Sequence, residues 1–301
     1  MLRKIAHSVR AFRSEPSRIA ALISQQEPAI GLALGGGFAR GLAHIGVLKV
    51  LEEEKIPIRF VAGTSVGAII GAAYCSGVGA RELEEVASQV RFKDFARWTL
   101  SRLGFASTDR MEGFLRRVLK VSTFEELKIP LAVTATDFVT GDPVVFRTGP
   151  LIDPVRASCA YPGMFLPVKI GDKLLVDGML AHGVPTIPLR EMGANRVLAV
   201  YLSAHWVNLE GPRHVFDVIG QCFSIAQQKM CGPWQAAADL VITPDVRGFS
   251  YDGFDHAREI VAAGEVVARS AMPAIREWVT AGGKGATIKA APKAASKVPQ
   301  V

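Results

Sequence analysis

Apolar and polar positions divide the chain into short segments whose period changes from one to the next. Residues 29–34 (AIGLAL) are a continuous apolar run of strand length, with Glu27-Pro28 before it and three glycines after it. Over 42–54, Leu42, Ile45, Val47, Leu48 and Leu51 recur at helical spacing and predict a helix. Residues 58–62 read as a second strand. After Gly63-Thr64-Ser65, a stretch of small and apolar residues predicts a helix to about Cys75. Strand, helix, strand, helix in that order implies a parallel sheet with a right-handed crossover.

Further along, residues 80–130 read as mostly helical. Residues 131–137 and 143–147 predict strands flanking a Thr140-Gly141-Asp142 turn, and 167–170 and 174–176 a hairpin around Gly171-Asp172-Lys173. Buried-type strands are expected at 196–201 and 240–243, and a last helix over 254–280. No long linker interrupts 28–281, which is expected to be one domain. The apolar run Val61–Ala80 has nearly the length of a membrane span. Its glycines, alanines and the Gly-Thr-Ser interruption favour a buried helix in a soluble core.

The two ends differ from the body. Leu2, Ile5, Val9 and Phe12 fall at roughly helical spacing among Arg3, Lys4, Arg10 and Arg13. Residues 1–27 are therefore expected to form a basic amphipathic segment able to lie on an anionic bilayer; a capping helix or a frayed terminus is the alternative. Residues 282–301, rich in Gly, Ala, Lys and Pro, predict a disordered basic tail. The chain has 301 residues and a formal charge of +7, of which residues 1–18 and 282–301 each supply +4, leaving about −1 for the rest. The basic balance thus belongs to the ends and argues against a nucleic-acid-binding core. Cys75, Cys159, Cys222 and Cys231 form no CxxC pair, so neither a disulfide framework nor a structural zinc is expected. The first thirty residues lack the apolar core of a secretion signal. A cytoplasmic protein is expected, with peripheral contact at the inner membrane surface through its basic ends.

Gly63-Thr64-Ser65-Val66-Gly67 is a G-x-S-x-G sequence set between a predicted strand and a predicted helix. A sharp turn there lifts a serine hydroxyl clear of the sheet, and glycines two residues to either side are needed because side chains would collide as the chain folds back. Ser65 is the candidate nucleophile, with Gly63 and Gly67 as the elbow glycines; a small structural residue is the alternative. Val66 begins the helix, so its N-terminal amides face charge developing near Ser65. The run Gly35-Gly36-Gly37-Phe38-Ala39-Arg40-Gly41 also joins a strand to a helix. It fails as a dinucleotide fingerprint because its last glycine falls one position late, and no Gly-Lys-Ser/Thr follows for a P-loop. Its amides and the Arg40 charge suit an anion, and neighbouring parallel strands place both turns at one sheet edge. Gly35, Gly36, Gly37, Arg40 and Val66 are the candidate oxyanion hole, with a plain turn as the alternative for the glycine run.

A serine also needs a base. None of the six histidines, His7, His44, His182, His205, His214 and His256, has a telling local setting. Asp177 differs: it ends the apolar run Leu174-Leu175-Val176 and is followed by Gly178. A carboxylate at the end of a buried strand gains basicity from the low dielectric, although a turn aspartate after a strand is ordinary.

These motifs, together with Ala157-Ser158-Cys159-Ala160-Tyr161-Pro162-Gly163 and Asp177-Gly178, occur in the order seen in one family. The chain resembles the bacterial branch of the patatin-like phospholipases over roughly 28–205, and more weakly to about 270. The resemblance implies a three-layer α/β/α fold with a mainly parallel central sheet. It also implies lipid acyl hydrolysis of the phospholipase A or lysophospholipase kind, by a Ser65–Asp177 dyad without histidine, through an acyl-enzyme, with no metal or cofactor. Ser158 and Pro162 would belong to the framework near the site. Met179 departs from the Gly or Ala common after Asp-Gly, and is expected to narrow the acyl pocket unless its side chain points away. Two other readings stand beside this one. The first is an α/β-hydrolase-type esterase with a Ser65-Asp177-His256 triad. The second is a non-catalytic adaptor on the same fold.

Overall fold

In the computed structural model, residues 27–280 are described, apart from 96, 100, 102, 103, 203–210 and 212–214. The expected amphipathic segment and basic tail, with His7, His205 and His214, lie outside the described residues. The chain opens with β1 (Ile30–Leu34), α1 (Ala43–Glu53), β2 (Ile58–Thr64) and α2 (Val66–Cys75). Then come α3 (Ala80–Gln89), a small antiparallel pair of β3 (Arg97–Trp98) and β4 (Ala106–Ser107), and α4 (Asp109–Val118). After β5 (Leu131–Asp137) and β6 (Pro143–Phe146) the chain forms α5 (Ile152–Ser158), β7 (Val168–Ile170) and β8 (Lys173–Asp177). It ends with α6 (Thr186–Glu191), β9 (Arg196–Val200), α7 (Val215–Lys229), α8 (Gly232–Ala236), β10 (Leu240–Ile242) and α9 (Ala257–Thr280).

One eight-stranded sheet runs in the order β10-β9-β1-β2-β5-β8-β7, with β6 also paired to β5. From β10 to β5 every neighbouring pair is parallel; β6 and β8 are antiparallel to β5, and β7 to β8. The central strands are buried on both faces, which is why they read as unbroken apolar runs rather than alternating ones. Their two faces differ in residue size. Ile30, Leu32, Leu34, Val61, Leu131 and Leu198 join the large core made with α1, α2, α3 and α9. Ala33, Ala62, Ala132 and Ala199 face a thinner core closed by Leu189 and Trp234 from α6 and α8. The result is a three-layer α/β/α arrangement with a mainly parallel sheet.

The segment 80–130 is less helical than its pattern suggests. Helices cover Ala80–Gln89 and Asp109–Val118, and the chain between them includes the β3–β4 pair. Between those helices a single 3-10 turn, Phe92–Asp94, lets Phe92 and Phe95 pack against the main core. The short helices α5, α6 and α8 carry too few turns for a periodic signal in the sequence. Among the described residues, no helix is long and apolar enough to cross a membrane.

Candidate active site

The register of β5 decides what meets at the site. β2 pairs with Leu131–Thr134, and β8 pairs with Ala135–Asp137. The β6 strand occupies one edge of β5 over Val133–Thr136, overlapping both. Hence β2 and β8 share the opposite edge and approach it from opposite directions. Thr64 sits beside Thr134 and Asp177 beside Ala135, so the two strands end head-on at consecutive residues of β5. The serine following Thr64 is thereby brought to the carboxylate that ends β8.

Ser65 donates its hydroxyl to Asp177 Oδ2 at 2.8 Å. Both residues are buried, Asp177 completely. Asp177 Oδ1 accepts the Met179 N–H at 2.9 Å, and the Asp177 carbonyl accepts the Thr136 hydroxyl at 2.9 Å. Burial, the larger effect, pushes the Asp177 carboxyl up from 3.8 to about 7, against the lowering pull of the Met179 N–H and the Ser65 hydroxyl. A carboxylate with that affinity for protons is matched to base catalysis near neutral pH.

The serine backbone is held at φ 55°, ψ −124°, a conformation L-residues rarely adopt. Contacts on both sides enforce it. A methyl group on Gly63 would overlap the Gly67 carbonyl, and one on Gly67 would overlap the Leu34 carbonyl of the neighbouring strand. The Ser65 N–H donates to Ser158 Oγ at 2.7 Å, pinning the elbow from α5. Thr64 Oγ1 bonds Thr134 Oγ1 and the His182 carbonyl, both at 2.7 Å, which ties the end of β2 to the turn after β8. The Ser158 contact is a positioning interaction whose partner could not be read from sequence, because the two serines are 93 residues apart.

The glycine run lies against the elbow, since a side-chain carbon on Gly36 would stand 3.3 Å from Ser65 Cβ. Its amides are not equivalent. Gly35 donates its N–H to the Val200 carbonyl and Gly36 to the Gly183 carbonyl, each at 3.2 Å. Those two groups are therefore committed to the fold, a correction to the expectation that all three glycines face an anion. The N–H groups of Gly37 and Val66 take no acceptor among the described residues, and Val66 is the first residue of α2, where helix amides are unpaired. His44, fully buried, has Nε2 at 2.8 Å from the Gly35 carbonyl; because a carbonyl only accepts, Nε2 carries the proton. Burial lowers this imidazole to about 4, so it is neutral and serves the loop's geometry. Arg40 is buried too, its guanidinium lowered to about 10 by desolvation and its Nε donating to the Phe249 carbonyl at 2.8 Å.

Two cavities flank the pair and share one lining residue, Phe38. The first lies over the carboxyl ends of β1 and β9, where strand order reverses, and includes Gly37, Arg40, Tyr201, Gln227 and Trp234. The second contains Ser65 and is otherwise apolar apart from Cys159. Met179 lines the first and not the second. Its side chain lies against Gly36, so it leaves the apolar cavity unobstructed.

His44 supports the glycine loop and takes no part in the Ser65–Asp177 hydrogen bond. Among the described residues no histidine side chain hydrogen-bonds to Ser65 or Asp177, and both carboxylate oxygens of Asp177 already accept hydrogen bonds. His256 is half exposed and lies 3.8 Å from Asp255 and 3.6 Å from Glu259. His182 meets the site through its carbonyl.

The three-layer α/β/α fold thus presents a strained serine to a buried aspartate. The sequence model described as patatin-like phospholipase matches residues 32–190, more than half of the chain, and the chain belongs to that family. It is 32% identical over 191 residues to an uncharacterised NTE family protein of Mycobacterium tuberculosis, covering 58% of this chain and 49% of that one. It is 33% identical over 231 residues to a protein named lysophospholipase NTE1 from Mycosarcoma maydis, covering 73% of this chain and 12% of that protein. The chain thus spans about half the length of the mycobacterial relative and a small part of the fungal one. Among solved structures, VipD from Legionella pneumophila shares the fold with a TM-score of 0.51 at 13% identity, over 82% of this chain and 67% of that one.

Proposed function

We propose that this chain hydrolyses lipid acyl esters with Ser65 as nucleophile and Asp177 as its base. The observation that carries the reading is the 2.8 Å hydrogen bond from a strained, buried serine to a fully buried carboxylate. As Ser65 Oγ attacks the ester carbonyl, its proton passes to Asp177 Oδ2, and the carbonyl oxygen takes the developing charge. The Gly37 and Val66 N–H groups, with the N-terminal dipole of α2 behind them, receive that oxyanion. Collapse of the tetrahedral intermediate returns the proton to the departing alcohol and leaves an acyl-serine. Water, deprotonated by the same carboxylate, then releases the acid. The Met179 N–H on Oδ1 holds the carboxylate in position through both halves. The family and the name of the fungal relative support a lipid ester as substrate.

The test is labelling of the full chain by a short fluorophosphonate, alongside turnover of a short acyl ester. Ser65→Ala is expected to remove the label and to lower kcat/KM by about 10⁴-fold or more. Labelling that persists in the variant would sink the assignment.

A further inference from the structure

We propose that Thr64 is a positioning residue of the reaction: its hydroxyl fixes the turn after β8 and, through the Met179 N–H on that turn, the aim of the Asp177 carboxylate. This deepens the reading of Ser65 and Asp177 as the reacting pair and rests on it. A hydroxyl carries one proton to donate. Thr64 Oγ1 lies 2.7 Å from the His182 carbonyl, which only accepts, so the Thr64 proton goes there. The 2.7 Å bond between Thr64 Oγ1 and Thr134 Oγ1 must then take its proton from Thr134. The donor order therefore runs from Thr134 to Thr64 to the His182 carbonyl, and both threonines are fully buried.

The His182 carbonyl closes a short turn that starts at Asp177. Ala181 and His182 donate their N–H groups to the Gly178 carbonyl at 3.2 and 2.8 Å, and Met179, inside the turn, donates to Asp177 Oδ1. A side-chain carbon on Gly178 would overlap the Thr134 carbonyl and stand 2.8 Å from its hydroxyl, so the turn is already seated against β5. From the other side Gln227 Nε2 donates to the Met179 carbonyl at 3.2 Å, and Gly183, next along, accepts the Gly36 N–H. Thr64 joins this turn to β2, whose next residue is Ser65. Without that hydroxyl the turn keeps its internal bonds and loses its tie to β2. The Met179 N–H then loosens its hold on Asp177, whose carboxyl it lowers. No charged neighbour offsets the loss. The Cys159 thiol and Tyr161 phenol, which sense Asp177, are pushed up by burial and stay neutral, and burial holds the His182 imidazole below 6.5.

Thr64→Val keeps the side-chain shape and removes the hydroxyl, and tests this in the full chain on a monomeric short-chain p-nitrophenyl ester from about pH 5 to 9. Its kcat is expected to fall about tenfold to thirtyfold with KM within about twofold of wild type. The rise of kcat/KM with pH should move upward by at least about half a unit, because the carboxylate has lost part of its N–H support. Thr64→Ser, which keeps the proton donor, should hold kcat within about threefold of wild type and leave the rise in place. Thr134→Val leaves Thr64 donating to His182 and should cost less than about threefold. Wild-type kcat and pH profile in Thr64→Val would overturn the proposal. So would a lowered kcat with the pH rise unmoved, the mark of a merely structural loss, or a Thr134→Val loss as large as that of Thr64→Val. If Thr64→Val does not fold, Thr64→Ala is read in the same way, and a displaced rise in Thr64→Ser overturns the role of the hydroxyl. A wild type that neither hydrolyses the ester nor takes a fluorophosphonate at Ser65 would remove the nucleophile and this proposal together.

Discussion

The turn after β2 holds Ser65 at φ 55° between two glycines that cannot accept a side chain, whereas the turn after β1 gives two of its three glycine N–H groups to the Val200 and Gly183 carbonyls. Both are glycine-rich strand-to-helix turns at the same sheet edge, and in sequence they look like equals. The first stores strain, of order 1–3 kcal/mol for such a conformation, to stand a hydroxyl clear of the backbone. The second spends its donors on fixing its own path, with the His44 imidazole holding the Gly35 carbonyl. A run of glycines therefore says that the backbone passes close to something. It does not say how many amides remain for a ligand.

The largest effect should come from the partner of the strained turn. Asp177→Asn keeps an oxygen for the Met179 N–H but removes the base, and kcat/KM is expected to fall about 10²–10⁴-fold. In the wild type, kcat/KM should rise with pH through about 7 as Asp177 loses its proton. Stability should move the other way. An acid whose folded value is raised above its unfolded 3.8 favours the folded state while protonated. That advantage is intact below about pH 4, erodes as pH rises, and is gone above about 7, a swing on the order of 4 kcal/mol. Thermal unfolding across pH should therefore show Asp177→Asn more stable than wild type at pH 8 and similar to it at pH 4. Equal stability of the two proteins at pH 8 would contradict the burial penalty.

Next come substitutions that set one turn against the other. Gly67→Ala puts a methyl group into the Leu34 carbonyl, a backbone atom that cannot rotate away, and should cost on the order of 3 kcal/mol. Gly35→Ala places its methyl 3.1 Å from the Val200 carbonyl and 3.2 Å from that of Gly183, a milder crowding that should cost about 1 kcal/mol. Denaturant titration of the pair measures the difference directly, and equal costs would remove the distinction between a strained and an anchored turn.

A smaller loss is expected from Ser158→Ala. It leaves the buried Ser65 N–H without its acceptor, at about 1–3 kcal/mol in stability, and loosens the serine by an amount worth roughly tenfold in kcat. Ser158→Thr, which retains the hydroxyl, should recover most of the kcat if the role is positioning. The smallest effect belongs to His256→Ala, where turnover within about twofold of wild type is expected because the ring lies at the surface beside Asp255 and Glu259. A near-total loss in that variant would revive a histidine triad.

Much of the fold was legible because the strands are short, apolar and separated by glycine turns. The boundaries of β1, β2, β5 and β8 fall within a residue or two of those expected from pattern. Helices α5, α6 and α8 escaped because five to seven residues hold too little periodicity. The segment 92–95 was absorbed into a longer helical expectation because Phe92 and Phe95 keep a three-residue step, although only one 3-10 turn, Phe92–Asp94, forms there. At the site, Ser65, Gly63 and Gly67 could be assigned from local sterics alone, since every atom they must avoid lies within the turn or on the adjacent strand.

Sequence by itself determined the central strands, the first two helices and the elbow, because apolar period and glycine spacing are local properties of the chain. Tertiary structure alone decided three things. It brought Asp177 to Ser65 by ending β2 and β8 on consecutive residues of β5, a register set by pairing across the sheet. It committed the Gly35 and Gly36 amides to carbonyls more than a hundred residues away. And it turned Met179 toward Gly36 and away from the apolar cavity. Each depends on contacts between distant segments, whose geometry is fixed only when the whole sheet has formed.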